Sequence, residues 1–71
     1  MTGDALNLAL RAFTTRQPFR RFWIEFVTGD RLIVSHPDSI ERHEGLFLHR
    51  DQYRMHRIFP PASVCQLIEM P

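Results

Sequence analysis

Between Phe22 and Val34 the sequence alternates, breaks at a glycine and alternates again, which limits the middle of the chain to a β-hairpin. Phe22, Ile24 and Phe26 interleave with Trp23 and Glu25; Thr28-Gly29-Asp30 interrupts; Leu32 and Val34 interleave with Arg31 and Ile33. Loop length follows from parity, because a slip of one residue moves every side chain to the opposite face. A two-residue loop at Gly29-Asp30 would set Phe26 opposite Ile33 and leave Leu32 and Val34 on the wrong side. A three-residue loop of Val27, Thr28 and Gly29, with Gly29 left-handed and a bulge, pairs Ile24 with Leu32 and Phe22 with Val34. That register also sets Glu25 opposite Arg31 and Trp23 opposite Ile33 on the second face, favourable pairs of about 0.2–1 kcal/mol each.

Ahead of the hairpin, Leu6, Ala9, Leu10 and Phe13 recur at helical spacing behind two candidate caps, Thr2 and Asp4, which predicts a helix over 4–14. A helix this short needs its apolar stripe packed on something else. Pro18 lies beyond its end. After the hairpin, Pro37 cannot donate to a ladder, so His36-Pro37-Asp38-Ser39 bends or breaks the second strand, and Ile40 returns to the core. His43-Glu44-Gly45 is a second turn, Leu46 to His49 a third strand, Tyr53 to Phe59 a fourth, and Val64 to Met70 a fifth beyond Pro60-Pro61. One helix and five short strands without helical crossovers predict a mostly β fold in a single domain, 1–71. Its body, 19–70, is expected to be a five-stranded antiparallel, strongly bent small barrel.

A 71-residue chain has a small core, since it buries only about 60% of the surface its unfolded form exposes. Such domains draw extra stability from disulfides, metals or oligomerisation. Cys65 is the only cysteine, so an internal disulfide is excluded and a reducing, cytoplasmic home is expected. No secretory pattern and no membrane-length apolar run is present. The four histidines, His36, His43, His49 and His56, lack zinc-motif spacing and fall on turns and strand ends, so no metal or other cofactor is expected. Self-association is what remains.

Two resemblances bear on this. Pro18-Phe19-Arg20-Arg21-Phe22, then Ile24, Phe26, Gly29, Val34 and His36-Pro37-Asp38, resembles a group of short, uncharacterised bacterial proteins. Their pattern runs Pro-Phe-x-Pro-Phe, an alternating strand, Asp-Gly, a second strand and His-Pro-Glu. Over residues 16 to 40 this chain departs from it at Arg21, Thr28 and Asp38. The resemblance implies no activity. The helix, the bent strand order and the closing Val64-x-x-Leu67 are similar in architecture to Sm-like domains, with an SH3-like barrel the related alternative. Sm-like domains form rings and bind RNA; the glycine they carry before the last strand is replaced here by Pro60-Pro61-Ala62.

No convergent nucleophile, base and orienting group can be picked out by spacing, and none of the three glycines sits in a phosphate-loop pattern. The chain therefore reads as a non-enzymatic module. Trp23 and Ile33, with Phe47 nearby, form the candidate oligomer interface, an apolar strip on a face that water would otherwise cover. The alternative is nucleic acid. All nine basic residues are arginine, and Arg16, Arg20 and Arg21 interleave with Phe19 and Trp23, while Arg50, Arg54 and Arg57 extend the set. Against it stands a net charge of only +1. Gly29, His36 and Pro37 are assigned to turns, with the His36 ring bonded to the bent backbone. Cys65 is expected to be a small buried hydrophobe.

Overall fold

Thr2 opens the helix: its hydroxyl accepts the Ala5 N–H at 3.1 Å, and α1 (Gly3–Thr14) follows in the computed structural model, which describes residues 1–71. Leu6 and Leu10, one turn apart, are both buried, and Phe13 packs beside them. Thr15 ends the helix by donating its N–H and its hydroxyl to the Arg11 carbonyl.

The hairpin has the expected register. β1 (Phe22–Phe26) pairs with β2 (Arg31–Val34) through Phe22 with Val34, Trp23 with Ile33, Ile24 with Leu32 and Glu25 with Arg31. The Phe26 N–H donates to the Asp30 carbonyl at 2.8 Å, the Gly29 N–H donates to the Phe26 carbonyl at 2.9 Å, and Gly29 sits at φ +89°. The loop is thus Val27, Thr28 and Gly29.

Beyond Pro37 the chain differs from the expected barrel. Ser39 turns back, donating its N–H and hydroxyl to the His36 carbonyl, and a further strand begins. β3 (Ile40–His43) pairs with β4 (Leu46–Arg50) across Glu44 and Gly45, both at positive φ as a two-residue hairpin turn requires. β5 (His56–Phe59) starts later than the expected Tyr53. The Asp51 carboxylate accepts the N–H groups of Tyr53 (2.8 Å) and Met55 (2.9 Å), and Arg54 lies at φ +63°, so 51–55 is a turn. A single 3₁₀ turn, Pro61–Ser63, leads into β6 (Val64–Glu69).

Six strands, not five, therefore form two antiparallel three-stranded sheets, ordered β2-β1-β6 and β3-β4-β5. The strands do not close into one barrel. Proline accounts for both interruptions: Pro37 separates β2 from β3, and Pro60 and Pro61, without N–H groups, divide β5 from β6. Between the sheets lies the core of Phe22, Ile24, Phe26, Val34, Phe47, Phe59 and Val64, completed by Leu6 and Leu10. Phe59 joins the two sheets, standing edge-on to Phe26 at 5.1 Å and stacked on Phe47 at 6.1 Å. No helix is long and apolar enough to cross a membrane.

Candidate interaction surface

With Phe22, Ile24 and Phe26 turned inward, pleating sends Trp23 and Glu25 to the other face of the first sheet. There Trp23 stands between Ile33 of β2 and Ile68 of β6, giving an apolar row across all three strands. Ile33 is 46% exposed, and Trp23 and Ile68 are half-buried. Next to it runs a polar row. Glu25 accepts from Arg31 at 3.1 Å and from Gln66 at 2.8 Å, which holds its carboxyl below the usual value, the Gln66 bond being the larger cause. The Arg31 guanidinium lies 5.3 Å from the Trp23 ring centre and shields part of it.

Of the three residues expected at an interface, Trp23 and Ile33 lie side by side on this face. Phe47 does not: it is 1% exposed and belongs to the core, because β4 turns Phe47 and His49 inward. Ile68 takes its position in the row. The spacing of Val64 and Leu67 carried that signal, since both face the core although a regular strand would put residues three apart on opposite faces. An extra residue is required, and the register shift that supplies it leaves Cys65 unpaired between Val64 and Gln66. Cys65 is consequently exposed and not buried as expected.

Three of the six candidate arginines are held by carboxylates. Arg16 is paired with Glu69 and stacked on Phe13. Arg57 reaches Asp30 at 3.0 Å and lies over Phe26 at 4.0 Å, and Arg50 binds Glu41 at 2.9 Å. Glu41 is held below its usual pKa, first by the His43 hydrogen bond and then by the Arg50 charge. Arg20, Arg21 and Arg54 have no carboxylate within 4 Å. Arg20 and Arg21 sit together ahead of β1, whereas Arg54 is in the β4–β5 turn.

His36 and Pro37 occupy the bend, as expected, but the His36 carbonyl makes the bonds there and its ring makes none. The expectation that all four histidines are solvated fails at His49, which β4 turns inward: it is 5% exposed, and burial pushes its pKa below the ordinary value of 6.5 against the opposing pull of Asp51, with Arg57 adding to the decrease. No three His, Cys, Asp or Glu side chains gather as a metal site requires. No family model, curated protein or solved structure matches the chain.

Proposed function

We propose that the chain is a non-enzymatic, self-associating β module whose interface is the outer face of its first sheet. The observation that carries this reading is the row of Ile33, Trp23 and Ile68 spanning three strands on the outer face of the first sheet, with Ile33 exposed. A two-fold assembly sets one patch against itself. The neighbouring row suits that, because Arg31 and Glu25 carry both signs and a second copy turned by the two-fold opposes unlike charges. The outer edges of β5 and β6 are unpaired and add backbone donors and acceptors for a second copy. A free, exposed Cys65 suits a reducing compartment, and the proposal places the module in the cytoplasm.

Trp23 is the only tryptophan, so association can be read from one fluorophore. Light scattering after gel filtration should give at least twice the monomer mass at micromolar concentration. Dilution should then shift tryptophan emission to the red, and Ile68→Glu should yield a folded monomer. A clean monomer at micromolar concentration sinks the proposal.

The finer fold reading, an Sm-like small barrel, draws support from the Pro37 bend, which carries the chain directly from β2 of one sheet to β3 of the other. With it comes the second reading, nucleic-acid binding, favoured by the unpaired Arg20 and Arg21. Fluorescent RNA and DNA oligomers should bind at low salt, with affinity falling steeply as salt rises. Binding indifferent to Arg20→Ala and Arg21→Ala rules this reading out.

A further inference from the structure

The free edge of β2 and the turn after β4 enclose a cleft of about 440 Å³, within the range of about 300–1,000 Å³ typical of small-ligand sites. His49 lines it from the core side. The residue is 5% exposed and its ring makes no hydrogen bond within the chain, yet no buried side-chain nitrogen or oxygen lacks a partner, so the polar edge of the imidazole reaches solvent. Since His49 lines the cleft, that unbonded edge is a hydrogen-bonding group open to whatever occupies it.

The rest of the lining defines the occupant. Arg21, Arg31 and Arg50 reach the cleft from three different segments, and its single carboxylate, Asp51, already accepts two turn N–H groups. Glu25 and Glu41 fix Arg31 and Arg50 in place, while Arg21 has no carboxylate to neutralise it. Ladder alternation adds a backbone donor: with Phe26 bonded to Asp30 at the hairpin end, the Ile33 N–H turns away from β1 and toward the cleft. Guanidinium groups, an imidazole and a backbone N–H together match a phosphate. At the rim stands Tyr53, 77% exposed, with its ring free to stack on a flat group.

From this convergence of arginines, an unbonded imidazole edge and a rim tyrosine, we infer that the cleft binds a phosphate monoester carrying an aromatic ring, of the nucleoside monophosphate class. Burial keeps His49 neutral, so one ring nitrogen donates to the phosphate while the other remains an acceptor.

The test is a titration of the isotopically labelled protein with adenosine 5′-monophosphate, adenosine and inorganic phosphate, following the His49 ring resonances. The monophosphate should shift them saturably, with adenosine and phosphate each weaker by about tenfold or more, and Arg21→Ala should weaken it by about tenfold, as expected on losing a charge-assisted bond. Arg21 is exposed and makes no ion pair, so the variant should keep the parent circular dichroism spectrum. No shift at millimolar monophosphate, equal affinity for phosphate alone, or binding untouched by Arg21→Ala each overturns the inference.

Discussion

Gly29 holds φ +89° at the hairpin loop with nothing within 4 Å of where a Cβ would stand, so the demand there is backbone conformation and not space. Gly29→Ala should cost about 1–2 kcal/mol, the penalty of a left-handed backbone for an L-residue, seen as a lower urea midpoint. Glu44 supplies the converse. It sits at φ 50° without being glycine, and Glu44→Gly should stabilise the chain by up to about 1 kcal/mol, seen as a higher urea midpoint. Positions of this kind are legible in sequence where local alternation fixes the parity, which is why Gly29 and all four cross-strand pairs of the first hairpin could be assigned. Phe47 and Cys65 could not. The facing of Phe47 depends on how β4 meets its neighbours, and that of Cys65 on an extra residue in β6 that only the pairing with β1 defines.

Among the elements, the two sheets meet through Phe26, Phe59 and Phe47, so a single ring from β5 holds together strands that share no ladder. Phe59→Ala should remove about 3–5 kcal/mol, comparable to everything a core this small supplies. The expected outcome is a chain largely unfolded at 25 °C, with its near-ultraviolet circular dichroism lost; a variant that keeps a cooperative melt within a few degrees of the parent would contradict this bridging role. The elements that sequence misjudged are those without a pattern of their own. β3 has one apolar residue, Ile40, followed by Glu41, Arg42 and His43, and it is a strand because β4 offers a ladder. Tyr53 and Met55 alternate convincingly, yet the Asp51 carboxylate captures their N–H groups and makes a turn of that stretch. The candidate surface was legible to the same extent: Trp23 and Ile33 follow from the hairpin, whereas Ile68 and the cleft depend on segments distant in sequence.

At the scale of the molecule, a core with one buried histidine makes stability depend on pH near neutrality. Burial places the folded pKa of His49 below the 6.5 of the free side chain, with Asp51 opposing and Arg57 reinforcing the shift. Between those two values the unfolded chain binds more protons, so stability rises with pH there. The contribution of a neutral His49 is complete above about 6.5 and is lost as pH falls through the lower, folded value. Glu25 and Glu41 act in a separate window. Both are held below 4.5 by their hydrogen bonds, so their contribution is full above that value and disappears as pH drops through the folded ones. Thermal midpoints from pH 8 to pH 3 should thus fall in two stages, the first starting below about pH 6.5 as imidazole burial becomes costly, the second at carboxylate pH. His49→Gln should flatten the first stage and leave the second, whatever its effect on the absolute midpoint, whereas Glu25→Gln should do the reverse. A first stage unchanged by His49→Gln would mean that the imidazole is solvated in the folded chain, and the argument for a ligand-facing, desolvated group in the cleft would fall with it.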